Sequence, residues 1–156
     1  MSVLTEELRR RIEQVPDPEL PVVTIADLGI LREVCEHDGV LEVVITPTYA
    51  GCPAMDAIRA DIKAAASPEP VLVRTVLSPA WSTDDITETG RRRLAEHGVA
   101  PPAPVRGGPV ELTLGVRCPH CGSIATRETS RFSSTACKAL YVCSSCWEPF
   151  DYFKPL

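Results

Sequence analysis

Four of the seven cysteines stand in two Cys-x-x-Cys pairs near the end of the 156-residue chain. The first pair is Cys118 and Cys121, the second is Cys143 and Cys146, and 21 residues separate Cys121 from Cys143. The short spacing lets both thiolates of a pair reach one metal ion, and two pairs complete a tetrahedron. We therefore predict a structural four-thiolate Zn²⁺ site. The spacing alone also fits iron, and disulfides are the weaker alternative.

The module around these pairs is too small to bury a sufficient core, so the metal is expected to supply much of its folding free energy, about 10 kcal/mol. Residues 110–116 and 139–142 are predicted strands that lead into the two pairs. Gly122 follows the first pair and permits the left-handed backbone of a tight turn. Cys137 is left over, and it is either a packing residue or an extra functional thiol.

Cys52 is a further candidate for chemistry, in a loop over residues 46–53 between a predicted strand and a predicted helix. Pro53 suits the first position of that helix, which is predicted over 54–66. Cys52 is thus expected near a helix N-terminus, where the partial positive charge favours a thiolate. The sequence alone gives even weight to two interpretations, a reactive or metal-binding thiol and a helix-capping cysteine without chemistry.

Asp17 and Glu19 lie in a loop that Pro18 and Pro21 make stiff. Carboxylates on such a loop most often cap a helix or face solvent. They are also suited to act as preorganised ligands or hydrogen-bond acceptors.

The remaining pattern predicts an α+β fold, a small three-stranded mixed sheet covered by helices. Helices are predicted over 3–15, 54–66 and 86–97, and strands over 30–36, 40–46 and 71–77. Residues 37–39 form the turn of a hairpin, because Gly39 tolerates positive φ. Residues 100–109 are rich in Pro and Gly and form a predicted linker. The expected domains are therefore 1–99 and 110–156.

Charge and composition exclude some classes of protein. The net charge is −5, with 44% hydrophobic and 24% charged residues, which is typical of a globular chain and unlike a uniformly basic nucleic-acid binder. Residues 1–111 carry −7 and residues 112–156 carry +2. The N-terminus lacks the apolar region of a signal peptide, and no apolar run is long enough to span a bilayer. We expect a cytoplasmic protein without membrane or nucleic-acid partners.

Two motifs together carry a family resemblance. Residues 17–30, which include Asp27, and residues 46–53 resemble the small α/β domain of SufT-like iron–sulfur assembly proteins, over about residues 5–98. Residues 78–84, both Cys pairs and residues 134–154 extend the likeness to the full chain. The whole then resembles the PaaD family, accessory proteins of the phenylacetyl-CoA epoxidase that acts in aerobic phenylacetate degradation.

The resemblance implies a maturation factor that is not itself an enzyme and that helps insert iron or an iron–sulfur cluster. In that view Cys52 handles iron or a transient cluster, and Asp17, Glu19 and Asp27 shape the site. The implied partners are the reductase or the di-iron subunit of the epoxidase. Further ligands would come from a homodimer, from Cys137 or from a partner, since one Cys per chain is too few for a cluster.

Two alternatives to maturation remain at this stage. In one, a zinc-ribbon adaptor docks oxygenase components without handling metal, and residues 147–153 form a packing tail or a partner-docking edge. In the other, Cys52 is the nucleophile of a thiol enzyme. The second alternative is the weaker, because His37, His97 and His120 lie at a predicted turn, a helix end and a Cys pair, and none is a convincing base.

Overall fold

The chain forms two compact units, Met1–Gly90 and Arg91–Leu156. The structure, a computed structural model, describes residues 3–49, 51–105 and 115–156. The division falls before the linker predicted over 100–109. Val99, predicted to end the first domain, lies in a strand of the second unit together with Ala100. Residues 106–109 of the predicted linker lie outside the described residues.

The first unit is a three-stranded sheet with helices. Its elements are α1 (Val3–Glu13), β1 (Leu31–His37), β2 (Val40–Ile45), α2 (Ala54–Ala66) and β3 (Val71–Thr75). The strand order is β1-β2-β3, with β1 antiparallel and β3 parallel to β2. The predicted mixed three-stranded sheet is thus confirmed. Because β2 and β3 are parallel, α2 crosses between them, and the loop from β2 to α2 leaves the carboxyl end of β2.

The hairpin turn between β1 and β2 lies where the sequence predicts it, at residues 37–39. Asp38 and Gly39 both adopt positive φ, 51° and 77°, and His37 pairs with Val40. Two successive left-handed residues are the signature of a type I′ turn, which matches the twist of the strands. Gly39 adopts this conformation without strain, and Asp is among the few other residues that tolerate it.

The core of the first unit lies between the sheet and its helices. The apolar side of α2 is buried, with Ile58 and Ile62 fully inaccessible. Trp81 is also buried, and its indole Nε1 donates to the carbonyl of Leu28 at 2.8 Å. An aliphatic interior of this kind, with the one indole N–H satisfied, gives this unit a core of its own.

The third helix differs from its prediction over 86–97. A short 3₁₀ turn (Thr83–Asp85) is followed by α3 (Glu88–Glu96). The side chain of Ser82 accepts from the Asp84 N–H, and the Asp85 carboxylate accepts from the Ser82 N–H at 3.0 Å. This capping box belongs to the 3₁₀ turn, so the α-helix begins later than predicted.

The second unit is a four-stranded sheet. Its strands are β4 (Val99–Ala100), β5 (Thr126–Ser130), β6 (Lys138–Cys143) and β7 (Pro149–Phe153), in the order β4-β7-β6-β5. β6 is antiparallel to both of its neighbours, and β4 is parallel to β7. The strand predicted at 139–142 lies within β6. Residues 110–114 of the other predicted strand lie outside the described residues, and Gly115 and Val116 are not in a strand.

Residues 147–153 do not form a docking edge as a whole. β7 lies between β4 and β6, and Phe150 and Phe153 are buried. The alternative of a packing tail is closer to the structure, since both rings are buried although, three residues apart on one strand, they point to opposite faces of the sheet. Trp147 is the exception, because it precedes β7 and is 74% exposed. Among the described residues no helix has the length and apolar character needed to cross a membrane.

Candidate metal centre

The two Cys pairs converge on one point. The four Sγ atoms lie within 4.8 Å of one another, with Cys118 to Cys146 at 3.8 Å and Cys121 to Cys143 at 3.6 Å. A tetrahedron with metal–sulfur bonds of about 2.3 Å has edges of about 3.8 Å. The four side chains therefore fit one tetrahedral metal ion. Within the part of the chain that the structure describes, this is the one group of three or more Cys, His, Asp or Glu side chains so arranged.

Two turns of the same design hold the four thiols, the first knuckle (residues 118–123) and the second knuckle (residues 143–148). In each, the N–H of the residue after the second cysteine donates to the carbonyl of the first. Gly122 donates at 2.9 Å in the first knuckle and Trp147 at 3.0 Å in the second. Both residues have positive φ, 78° and 64°. The same hydrogen bond is thus built once on a glycine and once on a tryptophan.

Backbone N–H groups also point at the sulfur atoms. His120 N donates to Cys118 Sγ at 3.4 Å, and Ser145 N donates to Cys143 Sγ at 3.3 Å. Donation to sulfur favours the charged thiolate, which is the form that binds metal. The nitrogen of His120 that takes part is the backbone one, and the four converging ligands are those that the Cys-x-x-Cys spacing predicts.

The thiols of the second knuckle differ in acidity. Backbone donation from Cys146 and then from Ser145 lowers the pKa of Cys143 to about 6. Donation from Glu148 acts to lower the pKa of Cys146, but burial and the three neighbouring thiols raise it to about 12. Four thiolates this close repel one another, so a cation is required for all four to be charged together.

The sulfur atoms are part of the core of the second unit. Cys118 and Cys143 are buried together with Ala100 and Phe150, while Cys121 is exposed. A core with so few large side chains gives little hydrophobic stabilisation. Metal ligation is therefore expected to carry much of the stability of this unit.

Cys137 lies apart from the four-thiol group. It is buried, and its Sγ lies 3.0 Å from Thr135 Oγ1. It stands next to Lys138, whose Nζ lies 3.7 Å from Asp151 Oδ2. The structure gives Cys137 a packed environment between the loop before β6 and the end of β7. The alternative of an extra functional thiol stays a prediction.

Cys52 occupies the elbow between β2 and α2. It follows Gly51, which has φ of 79°, and precedes Pro53, the N-cap of α2 with φ of −71°. Its backbone N–H donates to the Tyr49 carbonyl at 3.2 Å, which closes the loop. The side chain is half-buried. The predicted position of this thiol at a helix N-terminus is therefore confirmed.

Thr46 starts the loop that carries Cys52, and the sequence analysis did not single it out for chemistry. It is 1% exposed, and its Oγ1 has no hydrogen-bond partner among the described atoms. A buried hydroxyl without a partner costs free energy, so such groups are rare in folded proteins. The sequence shows a threonine at the end of a strand, but only the packed structure shows that the hydroxyl is unsatisfied.

The acidic residues mainly stabilise their own loops. Asp17 is buried, and its Oδ1 accepts from the N–H groups of Glu19 and Leu20 at 2.9 and 2.8 Å. Asp27 is also buried, and its Oδ2 accepts from Thr24 N at 3.1 Å. Within the described residues these carboxylates do not join Cys52 in a group of three or more potential ligands. Their predicted part in iron handling stays a prediction.

Tight backbone packing fixes the Asp27 loop. A Cβ on Gly90 would lie 2.8 Å from the Asp27 carbonyl oxygen, and one on Gly29 would lie 2.5 Å from that of Asp85. Thr87 N also donates to the Asp27 carbonyl at 2.8 Å. The loop is therefore held against the segment that ends the first unit, which accounts for glycine at both positions.

Comparison with known proteins decides the family. Residues 5–76 match a model described as iron–sulfur cluster assembly protein, and residues 103–154 match one described as PaaD zinc beta ribbon domain. The chain is 47% identical over 151 residues to a protein of Escherichia coli K12 named as a putative subunit of the 1,2-phenylacetyl-CoA epoxidase, covering 95% of this chain and 91% of that protein. The chain belongs to the PaaD family.

Shorter relatives of this PaaD-family chain match its first unit. The Fe–S protein maturation auxiliary factor YitW of Bacillus subtilis is 34% identical over 91 residues, covering 55% of this chain and 88% of that protein. A solved domain of unknown function, DUF59, from Bacillus anthracis is 28% identical with a TM-score of 0.52, covering 58% of this chain and 91% of that chain. The resemblance inferred from the motifs, and the fold of an assembly domain with a four-Cys ribbon, are thereby confirmed.

Proposed function

We propose that this chain is a maturation factor for the phenylacetyl-CoA epoxidase and assists insertion of iron or an iron–sulfur cluster into one of its components. The observation that carries the proposal is the joining of two modules in one chain. The first module matches iron–sulfur assembly proteins, and the second matches a PaaD zinc ribbon. The names of the related proteins support a role in iron–sulfur assembly or maturation, and the full-length relative is named as an epoxidase subunit.

In this proposal the elbow of Cys52 receives the cargo. The thiol is half-buried, so a metal ion can reach it, and it stands at the start of α2, where the helix N-terminus favours negative charge. One thiolate binds iron too weakly to keep it, which suits transfer and not storage. Additional ligands would come from a second copy or from the client. Asp17, Glu19 and Asp27 would hold the neighbouring loop and shape the site.

The four-Cys group has a different task in the same proposal. Zinc there completes the fold of the second unit and supplies no step of the transfer, because all four positions of a tetrahedral ion would be occupied by thiolates. The chain acts as an accessory protein in the cytoplasm, with the epoxidase reductase or the di-iron subunit as its partner. The adaptor alternative differs in one point only, which is whether Cys52 touches iron.

The test is epoxidase matured in cells that carry Cys52→Ala in place of the parent chain. We expect the purified epoxidase to contain several-fold less iron and to lose activity in proportion, because the receiving thiol is gone. Cys35→Ala is the matched control, since Cys35 is also a half-buried free thiol of the first unit but lies on β1. Epoxidase from the control cells should have its full iron content.

Two results would contradict the proposal. Full iron content and activity with Cys52→Ala would favour the adaptor, in which the ribbon docks components without handling metal. An equal loss with Cys35→Ala would indicate that damage to the fold, and not the loss of one ligand, is responsible. Zinc content and the thermal midpoint of each variant, measured on the purified chain, separate these cases.

A further inference from the structure

Trp147 adopts a backbone conformation that disfavours its side chain. Its φ is 64°, in the left-handed region, and the equivalent residue of the first knuckle is Gly122 with φ of 78°. A residue with a Cβ is strained there, whereas glycine is not. Since both knuckles make the same hydrogen bond to the first cysteine, the turn itself can be built with glycine. The indole is therefore not required by the turn.

The indole also contributes little to the core. Trp147 is 74% exposed, whereas Phe150 and Phe153, a few residues later, are 3% and 2% exposed. Ser144 and Ser145 of the same knuckle are exposed as well. A large apolar side chain held in solvent on a strained backbone lowers the stability of the free protein. Strain of this kind persists at positions where the side chain has a function.

Charge indicates what kind of surface the indole meets. Residues 91–156 carry 9 Lys and Arg against 5 Asp and Glu, a net of +4, whereas residues 1–90 carry 7 against 16, a net of −9. Glu148 adjoins Trp147, so attraction of a partner comes from the unit as a whole, through exposed side chains such as Arg117 and Arg127. An acidic protein surface complements this unit. A nucleic acid fits less well, because exposed Glu128 and Glu148 adjoin Arg127 and Trp147 in the sequence and would repel its closely spaced phosphates.

We propose that Trp147 is the anchor by which the second knuckle docks an acidic surface of the client epoxidase component, with the indole buried in an apolar pocket of that protein. Tryptophan is the residue type most enriched among the side chains that dominate protein interfaces. The left-handed backbone places the ring outside the sheet, on a turn that the metal site holds rigid, so little ordering is needed on binding. This inference rests on the proposed function for the identity of the client.

The test compares Trp147→Gly and Trp147→Ala in the full, zinc-loaded chain. Binding to the purified di-iron subunit and to the purified reductase is measured by calorimetry, together with the thermal midpoint of each variant. We expect both variants to bind the client at least about tenfold more weakly than the parent. Trp147→Gly should also raise the thermal midpoint, because it relieves the strain, and Trp147→Ala should not. Parent binding should weaken as NaCl is raised.

Phe132→Ala is the matched control, because Phe132 is another exposed aromatic residue of this unit, at 63%, and lies outside the left-handed region. It should bind as the parent does. Unchanged client binding by Trp147→Gly, or a lowered midpoint for that variant, would overturn the proposal. So would a single-stranded oligonucleotide bound by the parent and lost with Trp147→Gly, which would make nucleic acid the occupant.

Failure of this inference is distinguishable from failure of the proposed function. Cys35→Ala is included in the same titrations and should bind the client like the parent, since Cys35 lies on β1 of the first unit and not in the knuckle. If the parent binds neither component, docking through Trp147 is wrong. The iron content of epoxidase matured with Cys52→Ala still decides the cargo role independently.

Discussion

At the scale of single residues, the buried hydroxyl of Thr46 lowers the stability of the first unit. Thr46 also lies at the start of the loop that carries Cys52. Its hydroxyl is buried without a partner among the described atoms, at the point where β2 ends and the loop to Cys52 begins. A polar group left unsatisfied in the interior costs about 1–3 kcal/mol. Selection for stability alone would favour valine, which has the same shape and no hydroxyl.

Thr46→Val is therefore expected to stabilise the first unit by about 1 kcal/mol, because the unsatisfied hydroxyl is removed without a change in shape. That corresponds to a rise of about 5 °C in its thermal midpoint, measured by calorimetry. Thr24→Val is a control in which the hydroxyl does have a partner, the Asp27 N–H at 3.0 Å, and it should destabilise. A lower midpoint for Thr46→Val would mean that the hydroxyl is satisfied in solution, for example by a buried water.

At this scale the sequence predicts features that depend on neighbouring residues. It does not predict features that depend on residues packed from elsewhere in the chain. The four ligating cysteines and the position of Cys52 follow from spacing and from the Pro53 helix start, which are local. The unsatisfied hydroxyl of Thr46 depends on what packs over it, and the positive φ of Trp147 depends on a turn closed across five residues. The sequence does contain one signal for the latter, because Trp147 occupies the place in the second pair that Gly122 has in the first.

At the scale of elements, α2 and the hairpin agree with their predictions nearly to the residue, whereas β5 and β7 form where no strand is predicted. α2 has a proline start and a helical apolar stripe, and the hairpin has alternating β-branched strands around a glycine turn. β5 carries mainly exposed polar side chains, and β7 begins with Pro149 directly after a Cys pair. Their pairing with β6 is set by the metal knuckles, which local propensity does not describe.

A buried ion pair joins β6 to β7 and gives an asymmetric prediction. The side chain of Lys138 is 5% exposed and that of Asp151 is 29% exposed, and Ser133 Oγ also donates to Asp151. Asp151→Asn leaves the buried ammonium uncompensated and should cost about 3 kcal/mol. Lys138→Met leaves a carboxylate that water still reaches, and should cost about 1 kcal/mol or less.

The measurement is chemical denaturation of the zinc-loaded chain, followed by the amide NMR signals of β6 and β7. The double variant should be more stable than Asp151→Asn alone, since it removes the isolated charge. If the two single variants lose the same free energy of unfolding, the Lys138 ammonium is solvated in the folded protein, which would contradict the prediction.

At the scale of the whole molecule, the two units rely on different sources of stability. The first has an aliphatic core that includes Ile12, Val43, Ile45, Ile58 and Ile62, all fully buried. The second has a small core of which two ligand sulfurs are part. The Cys pairs predict this difference in the source of stability. The boundary between the units is predicted too late, at the Pro- and Gly-rich segment, because composition does not show that Val99 and Ala100 pair with β7.

Removal of zinc should therefore unfold the second unit first. Addition of a strong chelator at neutral pH is expected to abolish the dispersed amide signals of β5, β6 and β7 while those of β2 and α2 persist, since ligation supplies about 10 kcal/mol to a zinc module. Cys118→Ser should have the same effect without chelator. Loss of all signals together, or a second unit that stays folded without metal, would contradict this division of stability.

The most direct test of the account is transfer of iron by the purified chain. Chain loaded with iron under anaerobic conditions is mixed with the metal-free client, and the iron in the re-isolated client is determined. We predict that the client gains iron from the parent and from Cys35→Ala, and several-fold less from Cys52→Ala, with zinc retained in all three. Equal transfer from Cys52→Ala, or a parent chain that binds zinc and no iron, would contradict the central claim that Cys52 handles the cargo.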